Sequence, residues 1–165
     1  MRTGTGRVRI GAGVIAFAMA MGLGATAFAA DITREEYKAQ AEPICKVNTK
    51  ANQKIFKGVQ RMVRKNKLGL ASKRFKRASA SLRRTINQLV DLPQPTGDER
   101  RLSKWFKYLR VQRDLLTKIG KALSSGNKFQ AQTFIVRLRR NSNLANNMVL
   151  AFEFNFCRID PSRFT

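Results

Sequence analysis

The chain contains no histidine. That removes imidazole general bases, haem ligation through His, and most zinc and copper sites, since imidazole is the usual proton shuttle near neutrality and the commonest metal ligand. Carboxylates are also scarce, 10 in 165 residues, with none from Pro43 to Val90 and none from Leu115 to Phe152. Paired-carboxylate chemistry would have to draw on Glu35, Glu36, Glu42, Asp91, Asp98, Glu99, Asp114, Glu153 and Asp160. Most of these fall near the ends of predicted helices, where acids complement the helix dipole. The two cysteines form no C-x-x-C redox pair and no C-x-x-C-H haem attachment, and there is no G-x-S-x-G nucleophile elbow or phosphate-cradling glycine loop. The expectation is a protein that is not an enzyme and holds no cofactor and no metal.

Only one long uncharged stretch exists, Ile10 to Ala30, densest in apolar residues from Val14 to Met21. Arg2, Arg7 and Arg9 precede it and Ala27-Phe28-Ala29 closes it. Basic start, apolar middle and a small-x-small finish are the pattern of a secretory signal peptide, which assigns residues 1–30. An uncleaved anchor is the competing reading, because the stretch is about long enough to span a bilayer. Its Gly and Ala content and the A-x-A site favour cleavage. Val8 splits Arg7 from Arg9, so no twin-arginine signal is present, and no Cys lies near the cleavage site to accept a lipid. After cleavage no stretch long and apolar enough to span a membrane remains. The expected location is secreted or extracytoplasmic, with association to the cell wall as one form of it.

Cys45 and Cys157 both lie in the mature part. In an exported chain two cysteines read as one disulfide. It would close nearly the whole domain into a loop, for which chain entropy gives about 4–5 kcal/mol.

What remains reads as helix almost throughout, an all-α domain over 31–159 followed by an irregular tail, 160–165, that contains Pro161. Thr33-Arg34-Glu35-Glu36 fits a capping box, in which hydroxyl and carboxylate each satisfy an orphan N–H. Apolar or small residues then recur at helical spacing at Tyr37, Ala41, Ile44, Ala51, Ile55, Val59 and Met62, so one helix is expected to run to about Asn66, kinked or restarted at Pro43. A second stripe is Ala71, Phe75, Ala78, Leu82, Ile86 and Leu89, ended by Pro93 and Pro95. Thr96 and Glu99 match a second capping box ahead of the stripe Leu102, Phe106, Leu109, Leu116, Ile119 and Leu123. Ser124-Ser125-Gly126 reads as a helix stop, and Asn127 as the cap of a fourth stripe at Ala131, Ile135, Leu138, Ala145, Val149 and Phe152. Four amphipathic helices on short loops predict an antiparallel four-helix bundle. An even number of helices brings Cys45 and Cys157 to one end, whereas an odd number would hold them about 30 Å apart. Phe152, Phe154 and Phe156 alternate with Glu153 and Asn155, a strand period. Helix is the favoured assignment, because a lone strand would lack a partner. Asn48 stands in the apolar stripe of the first helix and is read as a buried polar residue fixing register, with a ligand pocket as the lesser alternative.

What the sequence has in abundance is positive charge: 33 Lys and Arg against 10 acids. Removing Arg2, Arg7 and Arg9 with the signal leaves 30 basic residues and a formal charge of +20. Lys46, Lys50, Lys54, Lys57, Arg61 and Arg64 recur at gaps of 3 and 4, a continuous stripe along the first helix, and Lys73, Arg74, Lys76 and Arg77 add to it from the second. A solvated face ordinarily mixes signs. This one does not, which points to a surface that holds anions. Ala41-Glu42-Pro43-Ile44-Cys45 near the mature start and Phe152-Glu153-Phe154-Asn155-Phe156-Cys157-Arg158 near the finish resemble a group of uncharacterised secreted helical proteins of high-GC Gram-positive bacteria; the resemblance implies export and the cysteine pairing. The expected function is binding or structural: those ten basic residues would hold anionic envelope polymer or lipid headgroups. The alternative is a secreted cationic effector that disrupts membranes. Nucleic acid suits the charge but not an exported protein without a recognised binding motif.

Overall fold

The computed structural model describes residues 31–160, which are all-helical with no strand among them. Its helices are α1 (Arg34–Phe56), the short α2 (Val59–Arg64), α3 (Leu68–Val90), α4 (Glu99–Ser124) and α5 (Lys128–Met148), followed by a 3₁₀ turn at Leu150–Phe152. The four long helices pack together. The predicted secretory segment at residues 1–30 and the tail from Pro161 lie outside the described residues.

Local chemistry sets most helix ends. Thr33 Oγ accepts from the Glu36 N–H at 3.2 Å while the Glu36 carboxylate accepts from the Thr33 N–H at 2.8 Å, a complete capping box. Asn127 caps α5 through the Gln130 N–H. At the end of α4, Gly126 adopts φ 77°, and the N–H groups of Gly126 and Asn127 reach back to the carbonyls of Leu123 and Ala122. Asn66, at φ 57°, closes α2 the same way.

Three expectations are corrected. The first helix does not run to Asn66. It stops at Phe56, and Gly58 turns the chain at φ 77° before α2 begins. The apolar period is unbroken across this point, but the left-handed conformation belongs to the glycine and ends the helix. Pro43, in contrast, sits inside α1, which continues through it. The Thr96–Glu99 capping box does not form. Asp98 occupies the cap position and turns its carboxylate to Arg34 and Arg101, while Glu99 accepts from the Gly97 N–H. Finally, Phe154 and Phe156 lie on neither helix nor strand. The chain leaves helical geometry after Phe152, where Glu153 takes φ 48°.

α4 is the central helix, packed on α3 along one side and α5 along the other, while α1 packs against α3. The stripes read from α3 and α4 are all buried. Gly120 marks the close approach of α3 and α4: a Cβ there would stand 3.3 Å from the Ser72 carbonyl oxygen. Ser72 Oγ donates to the Gly120 carbonyl at 2.6 Å, and Ser79 Oγ to that of Arg113 at 3.0 Å. Asn48 ties α1 to α3 by accepting from Ser81 Oγ at 2.9 Å, and Asn141 ties α5 to α4 through the Tyr108 carbonyl at 2.9 Å.

The remaining side is closed by the C-terminal strap, residues 153–160. Phe152 and Phe154 stack with centroids 5.3 Å apart, and they pack on the fully buried Tyr37 and on Trp105. Each such aromatic contributes about 1.5–3 kcal/mol by leaving water. The Glu42 carboxylate accepts from the N–H groups of Asn155 and Phe156, and Asn146 pairs with both the N–H and the carbonyl of Ile159. Cys45 and Cys157 are joined as a disulfide with their Cα atoms 4.9 Å apart.

Candidate functional site

Two features distinguish the surface and interior of this domain: an uneven distribution of charge and a polar-lined cavity.

The acids are gathered. All of them except Glu42, which is more than two turns into α1, and Asp114 lie at the start of α1, the end of α3, the start of α4 or the segment after α5. Direct contacts join these regions: Arg34 to Asp98, Tyr37 to Phe152, and Glu42 to the strap. At the other extreme, α2, the start of α3, the last turns of α4 and the start of α5 surround a hollow of about 360 Å³ walled by Val59, Val63, Phe75, Leu123, Ala131 and Ile135. Arg64 and Lys128 also line it, and no carboxylate does.

Of the basic residues singled out in the sequence, Lys54 and Lys57 belong to the last turn of α1 and its cap, Arg61 and Arg64 to α2, and Lys73, Arg74, Lys76 and Arg77 to the first half of α3. α3 packs against both α1 and α2. All of them are exposed except Arg74, which is half-buried. Lys46 and Lys50 are exposed earlier on α1, and the Lys46 ammonium lies over the Phe156 ring at 5.2 Å, beside the strap. The stripe is therefore interrupted at Gly58 rather than continuous along one helix. Ion pairs among the described residues include Arg34–Asp98, Arg101–Asp98 and Arg113–Asp114, and none of these three involves the ten basic side chains. Positive charge also extends beyond them: Lys104, Lys107 and Arg110 on α4 and Arg137, Arg139 and Arg140 on α5 are exposed.

The cavity, of about 430 Å³, lies between α1, α3, α4 and the strap. Its wall combines Leu82, Leu89, Leu109 and Leu116 with Asn48, Asn52, Thr85 and Gln112, and the Cys45–Cys157 bridge borders it. Trp105 and Gln112 are buried there. The sequence carried a signal for Gln112 that the stripe reading passed over: it stands between Leu109 and Leu116 at helical spacing, a polar residue on an apolar face, as Asn48 does on α1.

No family model, curated protein or solved structure matches the chain. Its function therefore rests on its own geometry.

Three ionisable groups have shifted equilibria. The hydrogen bond to Asp98 and its negative charge raise the Arg34 guanidinium above its usual value. Hydrogen bonds from the Thr33 N–H and hydroxyl hold the exposed Glu36 carboxylate below its usual range. Burial pushes the Tyr37 phenol above its own. All three sit where α1 begins, and their surroundings account for them as structural groups. Among the described residues no three Cys or carboxylate side chains converge as a metal site would require.

Proposed function

We propose that this chain is an exported, non-enzymatic binding protein of the cell envelope. In this reading it is an antiparallel four-helix bundle whose carboxylate-free end associates with anionic polymers or lipid headgroups. The antiparallel arrangement is supported by contacts that pair a residue near the end of one helix with one near the start of its neighbour: Phe56 with Phe75, Gly120 with Ser72, and Lys118 with Phe134. Export is supported by the charged, apolar and small-x-small order of residues 1–30 and by the disulfide.

The single observation that carries the function is the separation of charge. Among the described residues, the exposed lysines and arginines of α2 and of the first half of α3 take part in none of the ion pairs Arg34–Asp98, Arg101–Asp98 and Arg113–Asp114, while most of the acids lie toward the start of α1, where Arg34 pairs with Asp98. Concentrating like charge on a fold costs self-repulsion, and a surface potential of this kind raises the local concentration of anions. Phe129 at the start of α5 is 85% exposed and Leu70 near the start of α3 is 50% exposed. Apolar side chains beside cations suit contact with lipid headgroups.

Retention of the purified protein on isolated cell envelopes at rising salt tests this reading. Displacement of counterions predicts a steep loss of retention as salt increases, and a further loss when Lys54, Lys57, Arg61 and Arg64 are changed to Gln. Retention that ignores both salt and the substitutions contradicts it. Membrane disruption would require the buried helix faces to open, which the disulfide between α1 and the strap opposes. Release of dye from anionic vesicles only after reduction would support that competing role.

A further inference from the structure

We infer that the cavity between α1, α3, α4 and the strap is a binding site for a small uncharged molecule, one with an aromatic or otherwise apolar body carrying two hydrogen-bond donors and an acceptor. This site adjoins the anion-holding surface at Lys57, which borders the cavity, and the inference does not depend on that surface.

Three polar atoms of residues lining this cavity find no partner among the described residues: Trp105 Nε1, Gln112 Oε1 and Asn52 Oδ1. Trp105 is 1% exposed and Gln112 4%, so neither group is served by bulk solvent. An unpaired buried polar group is costly, and fold stability alone would favour apolar residues at these positions. The identity of one of these atoms is fixed by chemistry, since indole nitrogen only donates. Asn52 Nδ2 donates to Asn48 Oδ1 at 3.2 Å, an oxygen that also accepts from Ser81 Oγ, and in this arrangement Asn52 Oδ1 is the atom left unpaired among the described residues. A complementary molecule therefore offers an acceptor to Trp105 and donors to Asn52 and Gln112.

The rest of the wall sets its body. Leucines from α3 and α4 and the rings of Phe56 and Phe156 supply apolar contact. The charged side chains bordering the cavity (Lys57, Arg158 and Asp160) are exposed, so the enclosed part of the ligand is neutral. About 430 Å³ falls within the range of small-molecule sites. Neutral amino-heterocycles meet all three conditions.

Trp105 is the sole tryptophan, so its fluorescence reports on the cavity directly. The experiment titrates the protein, expressed from the full-length sequence with its disulfide intact, with adenine and 2-aminopyridine, and with naphthalene as a body lacking donors. The expected result is a saturable change in Trp105 emission with at least one heterocycle, bound about tenfold more weakly by Gln112→Leu and by Asn52→Leu. Thermal unfolding of the same variants without added compound supplies a second readout, with midpoints equal to or above the parent, since the amides are kept for a ligand and not for the fold. Absence of saturable binding by every heterocycle, binding no weaker in the variants, or naphthalene binding as well as the heterocycles overturns the inference. So does a lowered unfolding midpoint in both variants, which would make the amides structural groups served by water. Because the readout is neither salt retention nor envelope binding, failure here leaves the anion-holding surface untouched, and the reverse holds as well.

Discussion

Tyr37 is fully buried against Phe152 and Phe154, yet its hydroxyl has no partner among the described residues. Removing the hydroxyl should therefore relieve a penalty of about 1–3 kcal/mol, and urea unfolding of Tyr37→Phe should show a stability at or above the parent's. The same burial raises the phenol's pKa above its ordinary 10.0. A raised pKa means that the fold favours the neutral form, a contribution complete below the ordinary value and lost as pH rises through the folded one. The advantage of Tyr37→Phe should accordingly widen above about pH 10, and a gap that stays constant with pH would contradict this. Asp98 offers a contrast. Its side chain is 4% exposed while its partners Arg34 and Arg101 are 48% and 45% exposed. Arg34→Met leaves a buried carboxylate with one remaining partner and should cost about 1–3 kcal/mol. Asp98→Asn leaves two cations that water can serve and should cost less, a ranking that paired denaturation curves will test. At this scale the Thr33 and Asn127 caps were legible because they depend on neighbours in sequence. The failed Thr96–Glu99 box was not, because it is decided by Arg34, a residue from another helix.

The helices themselves were visible as apolar stripes, since burial on one face imposes a period that no other structure shares. The break at Gly58 was hidden by the same logic: Ile55, Val59 and Met62 keep helical spacing across it, and only the backbone angle of the glycine reveals it. Gly58→Ala should cost about 1–2 kcal/mol from left-handed strain alone, because its Cβ would meet nothing closer than 3.7 Å. Gly120 is a different case. It sits where α3 and α4 approach, and Gly120→Leu should destabilise by about 1–3 kcal/mol through overpacking against Ser72 and Phe75. Equal stability of this variant and the parent would mean that the two helices separate freely. The phenylalanine alternation after α5 misled in both directions. Its period is that of a strand, and its function is to plug the side that the helices leave open.

For the molecule as a whole, the strap and its disulfide complete the domain, and their removal should be felt globally. Changing Cys45 and Cys157 to Ser, or reducing the bridge, should lower stability by about 2–5 kcal/mol and shift the unfolding midpoint downward. An unchanged midpoint would show that the hydrogen bonds of Glu42 and Asn146 suffice to hold the strap. The abundance of positive charge was evident in composition. Its polarity along the domain was not, because the acids are dispersed in sequence and gathered only by folding. The cavity was harder still to foresee, since Asn52, Trp105 and Gln112 come from two helices and share no motif. The most direct test of the central claim is the salt dependence of binding to polyphosphate of fixed length. It compares Lys54, Lys57, Arg61 and Arg64 changed to Gln with an equal loss of charge at Lys104, Lys107, Arg110 and Arg139. The charge-separated surface predicts that the logarithm of affinity falls linearly with the logarithm of salt concentration, and that the first set flattens this slope more than the second. Equal slopes for the two sets, or binding indifferent to salt, would contradict it.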